Sequence, residues 1–277
     1  MKILHTADWH LGKKLDRFSR IEEQRAVMDE IVQIADTQKI DVVVIAGDLF
    51  DNFTPNTDAI ELFYKTLKRL SLQGKRPVIA ISGNHDAPKL IDAPDPLARE
   101  CGIFLIGQPF AQVTPIETEN FSISHSSEGF IELSLAQYAY PLRIIHTAYA
   151  NEPRLKQELE GDKQLSINQF LSDRWQHLAN TYCDPEGVNI LMTHLFMNPK
   201  QGPLLEEPDG ERPIRIGNAD MIYTDIVPSQ IQYTALGHLH GFKNIGSEEK
   251  PIVYASSPLC YSFSEAGQQK YVVVVEV

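Results

Sequence analysis

Cysteine, basic charge and long apolar runs are all scarce in this chain of 277 residues. Its three cysteines, Cys101, Cys183 and Cys260, are odd in number and show no CxxC spacing, which argues against both a disulfide framework and a thiolate zinc site. They read as ordinary reduced thiols. Lys and Arg number 25 against 37 Asp and Glu, a formal charge of −12, and a surface of that sign does not grip a phosphate backbone by itself. A nuclease stays in play because divalent cations in a carboxylate-lined cleft invert the local potential. No apolar stretch approaches the ~20 residues of a membrane span, and MKILHTADWH lacks the charged-then-apolar order of a signal segment. A cytoplasmic protein without a membrane partner is expected.

What is present suits one large α/β core: 43% hydrophobic residues lie well above the range of disordered chains, and 277 residues suffice for a principal domain spanning the whole chain. The first 110 residues alternate β-branched runs with amphipathic stretches, as stacked βαβ units do. Lys2–Thr6, Val42–Ala46, Val78–Ser82 and Ile103–Ile106 read as strands. Between them, Arg20–Gln38 places Met28, Ile31, Val32 and Ala35 on one helical face, and Asp58–Leu72 does so with Leu62, Phe63, Leu67 and Leu70. A second, strand-rich part follows, with Phe121–Ser124, Phe130–Leu133 and Arg143–Thr147, then a helix Ser166–Tyr182 that Ser166 would cap. Asn189–Thr193, Tyr233–Leu236, Ile252–Ser256 and Tyr271–Val277 read as further strands, and Met197–Asp220 as a long loop. A second sheet is expected.

Several of these strands run straight into residues that ligate hard or borderline metals: Asp8-Trp9-His10, Gly47-Asp48, Gly83-Asn84-His85-Asp86, Thr193-His194 and Gly237-His238-Leu239-His240. The carboxyl ends of strands in α/β sheets are where ligand sites form. Carboxylate, imidazole and amide oxygen together suit Mn²⁺, with Fe²⁺, Zn²⁺ or Mg²⁺ as substitutes. Asp48, behind a glycine that permits close backbone approach, is the natural carboxylate to bridge two ions. Any one of these pieces is weak evidence; the ordered set is strong. His5, His146 and His177 are read as structural histidines, and Trp9 as core.

The set DxH, GD, GNHD, H and GHxH resembles the calcineurin-like metallophosphoesterases. The stretches HTADWHLGKKLDRFSRIEEQ, VVVIAGDLFDNFTP, ISGNHDAP, THLFM, ERPIRIGNAD, TALGHLH and SSPLCYSFSEAG narrow the resemblance to the SbcD-type nuclease subunits. The fold so implied is a four-layer αββα sandwich of two mixed β-sheets flanked by helices. The resemblance implies two Mn²⁺, one held by Asp8, His10, Asp48 and His240, the other by Asp48, Asn84, His194 and His238. It implies 3′ to 5′ exonuclease action on duplex DNA and endonuclease action on single strands. His85 would donate a proton to the leaving oxygen, with Asp51, at GDxxD spacing, as its orienting carboxylate; the alternative for Asp51 is a turn cap. Lys13, Lys14, Arg17 and Arg20 are candidates for DNA contact, with a merely solvated loop as the alternative.

The resemblance further implies an SbcC-type, SMC-like ATPase partner and a homodimer, giving a heterotetramer with the ATPase. The dimer would use the Asp58–Leu72 helix and the segment near Pro96–Cys101, with Leu62, Phe63 and Leu97 as contacts; the alternative is that these residues pack within the chain. The family's capping domain and ATPase-binding segment are not expected within these 277 residues. Two other functions remain on the table: a phosphodiesterase or phosphatase of the same fold acting on a small nucleotide, which the net charge favours, and a non-catalytic dimerising scaffold, which the intact ligand set disfavours.

Overall fold

The computed structural model describes residues 1–156, 158, 160–207 and 221–277. Two sheets face each other. The first takes β1 (Lys2–Thr6), β2 (Val42–Ala46), β3 (Val78–Ile81) and β4 (Ile103–Ile106) side by side and parallel. The second has β5 (Leu142–Thr147), β6 (Val188–Thr193), β7 (Tyr233–Leu236) and β8 (Ile252–Tyr254) parallel at its centre. Antiparallel strands extend it on both sides: Lys243–Asn244 beyond β8, and Phe130–Leu135, Phe121–Ser127 and Ile116–Glu117 beyond β5. The C-terminal strand β9 (Val273–Glu276) returns to pair antiparallel with β1, so both sheets are mixed, as expected.

Side chains that alternate along each strand divide the apolar residues into three layers of packing. Ile3, Val42, Val44, Ile79 and Ile81 meet Ile144, Ile190, Met192, Ala235 and Val253 between the sheets. On the outer face of the first sheet, Leu4, Val43 and Ile45 lie under α1 (Ile21–Thr37) and α2 (Thr57–Leu70). On the outer face of the second, Ile145, Leu191 and Leu236 lie with Ile167, Leu171 and Trp175 of α3 (Lys163–Tyr182). The four-layer αββα arrangement follows. Trp9 is buried in the α1/α2 layer, with its indole N–H donating to Thr6 Oγ1 at 3.0 Å and its ring edge-on to Phe63.

Three expectations change. Helix α3 begins a turn earlier than Ser166, because Asp162 accepts from the N–H groups of Gln164 and Leu165 at 3.0 and 3.2 Å and so caps it; Ser166 lies inside the first turn. Leu62 and Phe63 are buried in the core, on the face of α2 turned toward the sheet, and only Leu97 of the three expected dimer contacts is exposed, at 79%. The expected loop from Met197 opens with a two-residue strand, Met197–Asn198, paired with Ile222–Tyr223, while its stretch 208–220, including ERPIRIGNAD, lies outside the described residues.

The histidines set aside as structural also divide. His5 is buried and bonded to the hydroxyl of Tyr233 (2.8 Å) and the carbonyl of Leu236 (3.2 Å), and His177 is exposed on α3. His146 is buried with a partner at neither ring nitrogen among the described residues, and burial pushes its pKa down from 6.5 to about 3. The unfolded chain therefore binds a proton here that the folded chain refuses. Stability intact above pH 6.5 is lost as the pH falls toward 3, at a cost of about 2 kcal/mol by pH 5. Denaturant unfolding at pH 7 and pH 5 should show His146→Leu losing less stability than the unmodified protein by about that margin; equal losses would mean the imidazole is protonated in the folded state.

Candidate metal centre

The parallel strands of both sheets release the candidate ligands on one side of the molecule. Asp8 and His10 follow β1, Asp48 follows β2, Asn84 and His85 follow β3, His194 follows β6, and His238 and His240 follow β7. The seven candidate ligands are at most 2% exposed. Four of them hold left-handed backbone angles: Asp8 (φ 56°), His10 (44°), Asp48 (50°) and His238 (98°). Residues with a β-carbon adopt this region at a cost that the surrounding structure must offset, and such strain gathers at functional sites. Two motif glycines have a steric reason. A β-carbon on Gly47 would strike the imidazole of His194, and one on Gly83 would strike the carboxylate of Asp48.

Asp48 sits at the centre. Its Oδ2 lies 3.5 Å from Nε2 of His10 on one side and 3.3 Å from Nε2 of His194 on the other. Ligand-type atoms gather into two sets that share it, Asp8 with His10 and Asp48, and Asp48 with His194 and His238. The remaining two candidates lie beside these sets: Nε2 of His240 is 3.1 Å from Nε2 of His10, and Oδ1 of Asn84 is 2.9 Å from Nε2 of His194. Spacings near 3 Å are those of neighbouring ligands around one ion with bonds of about 2.1 Å. His194 donates through Nδ1 to the carbonyl of Ala46 at 2.8 Å, which turns Nε2 toward the centre as the nitrogen that would ligate an ion.

The protonation pattern shows a site built around positive charge. Burial raises Asp8 to about 7, and Oδ2 of Asp8 has no hydrogen-bond partner among the described residues. Against its own burial, Asp48 is held well below the ordinary carboxylate range by the imidazoles of His194, His10 and His85. Burial would lower His194, yet Asp48 and Asp8 hold it up at about 9. Protons stabilise in this cluster what divalent ions would stabilise better, and the donor set of carboxylate, imidazole and amide oxygen fits such ions.

Residues 1–242 match the family described as calcineurin-like phosphoesterase. The chain belongs to that family. It is also 38% identical to the SbcD subunit of the nuclease SbcCD from Bacillus subtilis (strain 168) over 281 aligned residues, 100% of this chain and 66% of that relative. GAP50, the anchor in the inner membrane complex of Plasmodium, superposes with a TM-score of 0.50 at 10% identity, over 99% of this chain and 76% of that one, and shows the fold alone. Membership and the two ligand sets together make the centre of this phosphoesterase a dinuclear metal site.

Around the ligands stand groups whose roles motif matching did not assign. Asp86, the last residue of GNHD, is buried and accepts from the N–H groups of Leu49 (3.0 Å), Phe50 (2.9 Å) and Gly83 (2.8 Å), tying the Asp48 turn to the Asn84 turn. Arg154 donates to the carbonyls of Gly83 (2.9 Å) and Asp86 (2.8 Å) and so brackets Asn84 and His85. Glu207 meets Nε2 of His238 at 2.7 Å, and Glu265 meets Nδ1 of His240 at 3.0 Å. Asp86 and Glu265 lie within family motifs, but nothing in a linear string tells a brace from a ligand.

His85 reaches the rim, with its N–H on Asp48 Oδ1 at 2.9 Å and its ring edge-on to His10. Its Nδ1 bonds the main-chain carbonyl of Asp51 at 2.8 Å. The expected partner was the Asp51 carboxylate, which Lys13 engages at 3.2 Å. The tight GDLFD turn brings the Asp51 carbonyl onto the ring, while the Asp51 carboxylate stays within 4.8 Å of the ligand-type atoms of His85 and His10. Of the candidate DNA contacts, Lys13 is thus half-buried in an ion pair, and Arg20 is bonded to Glu23 and the carbonyl of Cys260. Lys14 and Arg17 are exposed on the short hairpin Lys14–Ser19 beside Phe18.

Removing the Asp86 carboxylate strands three backbone donors, each worth about 1–3 kcal/mol when buried and unpaired. Asp86→Ala should therefore lower unfolding stability by more than about 3 kcal/mol in denaturant titration. A loss under about 1 kcal/mol would mean that other acceptors take over these N–H groups.

Proposed function

We propose that this chain is a Mn²⁺-dependent DNA nuclease that acts as a homodimer with an SMC-like ATPase of the SbcC type in the processing of DNA ends, hairpins and breaks. The observation that carries the reading is the 38% identity, sustained through the whole chain, to a protein named as part of a nuclease. The relative is longer than this chain, so its activity, DNA substrate and ATPase partner come to this chain as inference. Residues 1–277 are taken as the phosphoesterase domain, and Leu97, exposed beside the first sheet, as a contact in the dimer.

Bound at the two ligand sets, divalent ions would supply charge stabilisation on the phosphoryl oxygens and a water acidified toward neutral pH. The protein's own contribution begins with Asp48, whose buried carboxylate is shared by both sets and fixes their separation. Asn84, His194 and His238 on one side and Asp8, His10 and His240 on the other hold their donors toward a common centre, so little reorganisation is needed on substrate binding. With Nδ1–H of His85 committed to the carbonyl of Asp51, Nε2 is the atom that hands a proton to the leaving oxygen. Lys14 and Arg17 hold backbone phosphates beside the cleft, while Lys13 and Arg20 secure the hairpin that carries them.

The acidic surface and the small number of exposed rim cations favour a second reading, a phosphodiesterase for small nucleotides. Cleavage of end-labelled duplex and single-stranded DNA, run with Mn²⁺ beside a small phosphodiester, separates the two. DNA cut by the unmodified protein and not by Asp48→Asn supports the nuclease; cleavage of the small ester alone supports the second reading. Within either, His85→Gln should slow turnover by about 10²-fold or more. Asp51→Asn, which keeps the carbonyl that orients His85, should change it less than about 3-fold; a large loss would return the carboxylate to the mechanism.

A further inference from the structure

The groups behind the candidate ligands differ from one half of the centre to the other. His194 leans on a neutral main-chain carbonyl, and His238 on Glu207, whose side chain is 14% exposed. His240 is backed by a buried ion pair. Glu265, 3% exposed, takes Nδ1 of His240 on Oε1 at 3.0 Å and Lys270 Nζ on Oε2 at 2.5 Å. The same ammonium donates to the carbonyl of His240 at 2.8 Å and to Ser257 Oγ at 3.1 Å, so it holds the ligand residue by its main chain as well.

Ser257, Glu265 and Lys270 all come from the segment Ser256–Tyr271, which follows the residues matched by the family, 1–242. The segment also delivers Tyr261, whose ring stands edge-on to both His10 (5.4 Å) and His240 (5.8 Å) and whose hydroxyl donates to the carbonyl of Trp9. Its contacts thus fall on the two histidines assigned to one ion.

We propose that Glu265 and Lys270 are positioning residues for the ion held by Asp8, His10, Asp48 and His240, so that the C-terminal segment sets the affinity of that ion separately from the other. The inference rests on the dinuclear reading of the site. A carboxylate on Nδ1 fixes the tautomer that leaves Nε2 free to ligate, pins the ring plane and raises its donor strength; losing such a partner typically costs 10–100-fold in metal affinity. Lys270 keeps the carboxylate aimed at the ring and neutralises a charge that burial would otherwise penalise.

The test is Mn²⁺ titration of metal-stripped protein by calorimetry, with electron paramagnetic resonance to distinguish paired from single ions and a thermal melt of each variant. The unmodified protein should bind two ions and show the coupled-pair signal. Glu265→Gln should weaken one binding event 10–100-fold and leave the other unchanged, so that a single-ion signal replaces the coupled one at Mn²⁺ levels that fill both sites of the unmodified protein. Lys270→Met, which retains the carboxylate, should weaken the same event by less, and it gives the reading if Glu265→Gln fails to fold. Two unchanged affinities, or an equal loss at both sites, would overturn the proposal and leave these residues as ordinary cement. An unmodified protein that binds fewer than two ions would instead overturn the dinuclear reading beneath it.

Discussion

Burying the Asp48 carboxylate between the imidazoles of His10 and His194 constrains everything around it. A carboxylate 2% exposed is costly unless charge and hydrogen bonds meet it from several sides. Those partners come from β1, β3 and β6, so the two sheets must face each other with their carboxyl ends level. The bond from His194 to the carbonyl of Ala46 joins the end of the second sheet to the end of the first at this point. Left-handed angles at Asp8, His10, Asp48 and His238 follow from the same demand, since each chain must turn sharply off its strand to bring a side chain inward. The apolar layers between and outside the sheets supply the rigidity that holds those angles.

The strands and helices were legible because each is fully patterned within its own residues. Val42–Ala46 and Tyr233–Leu236 are continuous buried runs, and α1 and α2 carry clear apolar stripes, so their bounds were placed to within a residue or two. The start of α3 was misplaced because Asp162 and Ser166 are both competent caps, and the choice is made by which one the chain brings to the first turn. The ligand set was legible for a related reason. Ligation chemistry restricts residue type, and strand ends restrict position, so five short motifs stand out together.

What surrounds the ligands was not legible, because its contacts join residues far apart in the chain. Nothing in SFSEAG says that its glutamate will meet a histidine 25 residues earlier, and nothing in GDLFD says whether a carbonyl or a carboxylate will face His85. At Asp51 the spacing located the residue, while the fold decided that its carbonyl bonds Nδ1 of His85 and that its carboxylate pairs with Lys13. The same limit applies to the basic residues after DWHLG, where two of four are consumed by local ion pairs and carbonyls that a list of charges does not reveal.

The acidic composition, which first argued against a phosphate-binding protein, fits the centre once its location is known. Negative charge that is buried with imidazoles is not a repulsive surface; it is the energy source for drawing in divalent cations, which then present positive charge to a phosphate. Charge counted over the whole sequence merges that inner set with solvent-facing pairs such as Glu61 with Lys65 or Asp29 with Arg69, whose effects nearly cancel in water. The quantity that bears on function is the potential at one cleft, where a few buried carboxylates outweigh many exposed ones because little water screens them. GAP50 carries a comparable fold as an anchor, so the fold alone leaves function open. The candidate ligands at the strand ends, together with family membership, are what direct this chain toward phosphoester chemistry.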